Sequence, residues 1–259
     1  LWQECPKRWE YKYLMGLRPR APDEGGPLLS GSIFHEALER GLMLGEGSGR
    51  RTLALLTARE LWTERGEAML RKFGPGTEAA LRALPDWVWE VENPVAEERL
   101  EIELFPPMTL VGKPDLWFVK DDTLTVVDFK STSDTGKELT RRLARYELWS
   151  QQVKIYALML YVSYPWAQDL PMQTQFVLAS TRGTVEVGTP RYLTDAERQA
   201  TRQRVIDQLG VMVEGKPLHH FGTLCEWCEF RPIDQGLLTG ANVSAIIEEH
   251  YERRTHGIN

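Results

Sequence analysis

Three cysteines in 259 residues are too few, and odd in number, for the disulfide framework of a secreted domain. A reduced, cytoplasmic setting with metal-binding thiols fits that count better. No apolar run reaches the ~20 residues of a membrane helix, and no signal-peptide pattern opens the chain, so no membrane partner is expected. Positive charge is also scarce: 31 Lys+Arg against 37 Asp+Glu give a formal net charge of −6. That excludes a protein that coats polyanions by its overall field, and any nucleic-acid contact must use local basic patches. The phosphate loop G-x-x-x-x-G-K-[ST] is missing, so these residues hold no helicase motor. Neither an internal repeat nor a low-complexity segment occurs. The sequence begins at Leu1 rather than Met, in a helix-like stretch, and is expected to lack a few native residues.

What is present is enough apolar sequence, 42%, to bury a full core. Residues 2–17 read as a helix mixing aromatic and basic side chains, and 18–27 as a loop punctuated by Pro and Gly. A helix capped by Ser32 follows, with Phe34, Ala37, Leu38, Gly41 and Leu42 on one stripe. Residues 52–73 and 77–92 predict two more helices. Strands are expected at 97–105, 110–120, 123–130, 175–178 and 184–187, with long helices at 141–162 and 194–213 and a last one over 242–253. Helices, then a mixed sheet, then helices imply an α/β chain with a central sheet of few strands and helices gathered from its N-terminal third.

The most informative stretch is GKPDLWFVKDDTLTVVDFKS, Gly112 to Ser131. Two strands joined by Asp121-Asp122 predict a hairpin with a two-residue loop. In that register Asp115 lies directly opposite Asp128, with Cβ atoms roughly 4.5–5.5 Å apart, where like charges destabilise a sheet. Lys130 shares the face of Asp128. Leu124 and Val126 flank Asp128 on one face while Val127 and Phe129 occupy the other, so the strand is apolar on both sides and therefore buried. A buried carboxylate pair beside a cation calls for a divalent metal such as Mg²⁺ or Mn²⁺. The bland competitor is a solvated hairpin, and a one-residue slip of the Asp-Asp turn is the competing register.

Three further features are weak one by one. His35 in GSIFHE reads alone as a partly buried histidine, but beside an acidic pair it becomes a candidate third metal ligand. Gln152 and Tyr156 are four apart and share a helix face, which alone is a polar helix edge. Cys5 with the pair Cys225-x-x-Cys228 suits zinc or an iron–sulfur cluster.

Taken in order, Gly31-x-x-x-His35, Gly112-x-x-Asp115, Asp128-x-Lys130 and Gln152-x-x-x-Tyr156 resemble the motifs of RecB-like PD-(D/E)XK nucleases. CPKRWEYKY at Cys5 and the closing CEWCEF resemble the iron–sulfur branch of that family, which includes the AddB nuclease domain and CRISPR-adaptation exonucleases. The resemblance runs from Cys5 to Asp234. It implies a single nuclease domain over 1–259: a helical lobe at 18–95, a restriction-endonuclease-like sheet core at 97–190, and a cluster region at 1–17 and 215–240. By the same resemblance His35, Asp115, Asp128 and the backbone carbonyl of Phe129 hold Mn²⁺ or Mg²⁺. Lys130 orients the attacking water and stabilises charge on the phosphate, while Gln152 and Tyr156 support the site and the strand. Cys5, Cys225 and Cys228 would bind a cluster, expected to be 4Fe–4S, that clips the N-terminal helix to the C-terminal region. The family's fourth cysteine falls at Asp234, which leaves oxygen ligation, a three-iron cluster, or zinc with His219 or His220 open.

The activity implied is a metal-dependent DNA exonuclease acting on single-stranded ends, in recombination and repair or phage DNA processing, with a helicase or recombination protein as partner. Lys7, Arg8 and Lys12 among Trp9, Tyr11 and Tyr13, and the run Arg141, Arg142 and Arg145, are candidate contacts to phosphates and bases. Such runs are more often solvated helix faces. Two other classes stand beside this reading. A non-catalytic DNA-binding or assembly subunit would be expected to have lost Asp115, Asp128 or Lys130, and a hydrolase of small phosphate esters would need no basic, aromatic surface.

Overall fold

The computed structural model describes residues 11–12, 15–19, 27–47, 49–105, 108–214 and 228–253. The chain divides into two compact units, Gly25–Val205 and Leu1–Glu24 with Ile206–Asn259. In the second unit the strand β1 (Leu17–Pro19) pairs antiparallel with a short strand near the C-terminus, Tyr251–Arg253. Tyr11, Leu17, Phe230, Ile233 and Tyr251 form its core. The sequence predicts a helix ending at Leu17 with a loop from Arg18, and a last helix running through 253, so neither strand is expected. Pro19 and the β-favouring Tyr251 resist a helix, and pairing with each other supplies the hydrogen bonds.

The first unit opens with α1 (Pro27–Leu44), α2 (Gly49–Glu64), α3 (Glu67–Ala83) and α4 (Asp86–Glu90). The helix expected from Ser32 starts five residues earlier, at Pro27, whose fixed φ suits a first helical position. The helix expected over 52–73 breaks at Gly66, which sits at φ 97°. Trp62, fully buried, stacks on Phe73 across that break and donates to Thr77 Oγ1 at 3.0 Å.

The strands follow. β2 (Leu100–Phe105) and β3 (Met108–Gly112) make a two-stranded ribbon, and β4 (Leu116–Lys120) and β5 (Thr123–Thr132) make the expected hairpin. The strand read as continuous from 110 to 120 is thus two strands in different sheets. Pro114, with no N–H to offer a ladder, stands at the break. α5 (Gly136–Trp149) and α6 (Gln152–Ser163) replace the single helix expected over 141–162. After a short 3₁₀ turn, β6 (Met172–Ser180) runs parallel to β5, from Leu124↔Met172 to Thr132↔Ser180. β7 (Val185–Val187) and β8 (Arg191–Tyr192) both pair antiparallel with β6, giving a mixed five-stranded sheet. α7 (Asp195–Glu214), α8 (Arg231–Thr239), α9 (Val243–His250) and β9 (Tyr251–Arg253) complete the described elements. None of the described helices is long and apolar enough to cross a membrane.

β5 divides the interior. Val127 and Phe129 pack with α1 to α4, whereas Leu124 and Val126 pack with α5, α6 and the β2–β3 ribbon. The period-two alternation of a strand therefore feeds two cores at once, and only one of those faces carries Asp128 and Lys130.

Candidate active site

The hairpin fixes the site. Its register, Leu116↔Val127 through Lys120↔Thr123, is the one a two-residue loop demands. Asp121 and Asp122 both adopt positive φ, 49° and 54°, as a type I′ turn requires. Asp115 lies just before β4 and faces the middle of β5. Its Oδ2 accepts a 2.7 Å hydrogen bond from the Phe129 N–H. Asp128 is fully buried. Lys130 Nζ donates to Asp128 Oδ1 at 2.9 Å and to Gln152 Oε1 at 3.2 Å. Gln152 Nε2 in turn donates to the Tyr156 hydroxyl at 2.8 Å. Gln152 stands in the first turn of α6, so the break between α5 and α6 is what turns its amide toward Lys130.

Gly112 closes the other side. A Cβ there would stand 2.8 Å from Met159 Sδ and 3.0 Å from Tyr156 Cε1, so only glycine lets the ribbon approach the Tyr156 ring. His35 arrives from α1. Its Nδ1 is 3.6 Å from Asp115 Oδ1 and 3.7 Å from Glu97 Oε1, both beyond hydrogen-bond range. Six of the site residues expected from the sequence (His35, Asp115, Asp128, Lys130, Gln152, Tyr156) thus meet within the first unit, at the end of β5 away from its turn. Cys5 and Cys225 lie outside the described residues. Cys228 is half-buried on the core of the second unit, and Asp234 Oδ1 accepts from the Tyr11 hydroxyl at 2.9 Å. Of the two basic patches, Arg141 and Arg142 engage Glu138 and Asp134, and Lys7, Arg8, Trp9 and Tyr13 lie outside the described residues.

One residue escaped the sequence reading. Glu97, taken there as the start of a strand, joins His35 and Asp115 in a group whose ligand atoms all lie within 4.8 Å of one another. It precedes β2 in a stretch without periodicity, so no pattern marked it.

Burial governs the electrostatics. Desolvation lifts the Asp115 carboxyl to about 7, against the pull of the His35 charge. Desolvation also raises Asp128, with Lys130 pulling the other way. For His35, burial alone would lower the pKa, but Glu97 and Asp115 outweigh it and the net shift is upward. Lys130 is likewise depressed by burial and raised more by Asp128 and Asp115. Burial pushes Tyr156 up to about 12, so its hydroxyl stays protonated. Asp128 Oδ2 is buried with no hydrogen bond, although Lys130 Nζ is 2.8 Å away. That contact is an ion pair outside hydrogen-bond geometry, and a buried carboxylate is costly unless positive charge offsets it. The oxygen-rich donors with one imidazole fit a divalent cation such as Mg²⁺ or Mn²⁺.

A family model described as the PD-(D/E)XK nuclease superfamily matches residues 1–233. The chain belongs to the PD-(D/E)XK nuclease superfamily. No curated protein matches the chain. Among solved structures it is similar to SSO0001, at 16% identity over 80% of this chain and 95% of that one. The TM-score of 0.34 is too low for that likeness to bear on fold or function. Membership accounts for the mixed sheet with flanking helices, identifies the chain as a nuclease, and makes DNA its expected partner. Nucleases of the superfamily use Mg²⁺ or Mn²⁺.

Proposed function

We propose that the whole chain works as one nuclease domain, a cytoplasmic Mn²⁺- or Mg²⁺-dependent exonuclease of single-stranded DNA ends. The observation that carries this reading is the buried carboxylate pair Asp115 and Asp128, set on one hairpin with Lys130 bound to Asp128. His35, Asp115, Asp128 and the Phe129 carbonyl would hold the ion. When bound, a divalent cation lowers the pKa of water and offsets charge at phosphorus. The protein's own groups do the positioning. Lys130, pinned by Asp128 and Gln152, holds a fixed positive charge where an attacking water and a phosphate oxygen would meet. Gln152, clamped between Lys130 and Tyr156, sets the lysine's height above the sheet. Phe129 N–H fixes one oxygen of Asp115, so the other oxygen keeps a single direction.

The second unit is proposed to bind an iron–sulfur cluster through Cys5, Cys225 and Cys228, with Asp234 as the fourth residue of the motif. Support comes from the cysteine spacing alone. Closing so long a loop would stabilise by on the order of 4–5 kcal/mol, by analogy with a disulfide. A helicase or recombination protein would supply unwound ends, since no phosphate loop is present.

The decisive experiment is digestion of end-labelled single-stranded DNA with Mn²⁺, Mg²⁺ or chelator, by the purified chain and by Asp128→Ala. Stepwise shortening from one end, lost with chelator and with the substitution, is the expected result. Uncut strands under every metal condition would refute the enzyme and favour a DNA-binding subunit that keeps the nuclease fold.

A further inference from the structure

We infer that Glu97 is a metal-ligating residue, joining His35 and Asp115 so that three side chains from three separate segments converge on one ion. This assignment rests on the metal-dependent reading of the site. It adds a ligand that neither the motifs nor the hairpin predicts.

Backbone placement comes first. Val95 and Trp117 exchange two hydrogen bonds, 2.9 and 2.8 Å, and Glu97 N–H donates to the Pro114 carbonyl at 3.0 Å. Residues 95–97 are thus laced to residues 114–117, which sets Glu97 beside Asp115. Glu97 holds φ at 51°, a conformation L-residues seldom adopt and one that clusters at functional sites. The lacing keeps it there.

The side chain follows. Only 16% exposed, it turns Oε1 toward His35 Nδ1 and Oε2 toward Lys113 Nζ, 3.4 Å away. Lys113 is 51% exposed, so its charge is largely screened by water and does not neutralise the inner oxygen. Asp115 has committed Oδ2 to Phe129 N–H and presents Oδ1, at 3.6 Å, to the same imidazole nitrogen. Spacings of 3.6–3.7 Å are too long for hydrogen bonds. An octahedral ion with bonds of about 2.1 Å sets neighbouring donors about 3.0 Å apart and opposite ones about 4.2 Å apart, so a side-chain shift of roughly half an ångström would draw the three donors onto one ion.

The charge count points the same way. Glu97, Asp115 and Asp128 bring three carboxylates to a region whose buried basic groups are His35 and Lys130, and Lys130 is already shared between Asp128 and Gln152.

Mn²⁺ binding to the full chain, followed by calorimetry and by loss of the free-ion electron spin resonance signal, tests the assignment. Glu97→Gln is expected to weaken Mn²⁺ binding about tenfold or more. Its melting temperature in chelator should fall only slightly, because, against the lift from burial, His35 and Lys113 hold the Glu97 carboxyl below its ordinary range and the amide loses that pull. Glu97→Asp, which keeps a carboxylate, should recover part of the affinity, and Lys113→Ala should leave it within about twofold. Unchanged Mn²⁺ affinity in Glu97→Gln would overturn the inference, as would absence of Mn²⁺ binding in the wild type. Single-strand digestion by the wild type reads the nuclease proposal separately. Glu97-dependent Mn²⁺ binding in a chain that cuts nothing would sustain the ligand and sink the exonuclease.

Discussion

Lys130 holds the site together by charge, and its removal separates chemistry from metal binding. In Lys130→Met the rate of strand cleavage should drop about 10²–10³-fold, the range for loss of one preorganised charge-stabilising donor. Mn²⁺ affinity should stay level or rise, because Asp128 would have both oxygens free for the ion. Parallel digestion and calorimetric titration check both halves. The sequence made this residue legible, since a lysine two positions from a buried aspartate shares its face. Glu97 was not legible. Its position depends on a pair of backbone bonds between Val95 and Trp117 and on a positive φ, and neither leaves a pattern in the residue types.

Among the elements, the β2–β3 ribbon meets the site at Gly112, against the Tyr156 ring. Gly112→Ala would drive a methyl against the Tyr156 ring, with Met159 better able to yield than the aromatic. Tyr156 should lose its 2.8 Å bond to Gln152, at about 1–3 kcal/mol of stability and with reduced cleavage. Urea unfolding and digestion of the variant would show it. At the opposite end, the double change Asp121→Asn with Asp122→Gly should stabilise by about 0.5–1 kcal/mol, since asparagine and glycine tolerate positive φ better. Urea midpoints compare the two, and cleavage should not change. The hairpin was legible because a two-residue loop and two-faced apolarity leave one register. The break between α5 and α6 was not, because neither Gly nor Pro lies between Trp149 and Gln152 and the apolar period continues across it.

For the whole molecule, the buried carboxylates make stability depend on pH with a definite sign. Asp115 ionises near 7 when folded and near 4 when unfolded, so the folded chain binds a proton that the unfolded chain releases. Without metal, that stabilisation is complete below about pH 4 and is lost as pH rises through about 7. Asp128, raised in the same direction by burial, adds to the trend. A divalent ion needs the ionised carboxylates and reverses the slope. Melting temperature in chelator should therefore fall between pH 5 and 8, by about 2–4 °C for each kcal/mol lost. The increment given by Mn²⁺ should grow over the same interval. Scanning calorimetry at several pH values, with and without the ion, reads both trends.

β5 carries the exposed Asp121–Asp122 turn just before its first residue and the proposed catalytic pair, Asp128 and Lys130, toward its last, with both cores clamped along its length. Six residues of extended chain separate Asp122 from Asp128, roughly 20 Å. A fluorophore or short inserted peptide at the turn would therefore ride on the strand that carries Asp128 and Lys130 without entering the proposed site. Energy transfer from such a label to dye-marked DNA could follow each strand end as it arrives, giving the enzyme a built-in position for watching its own turnover.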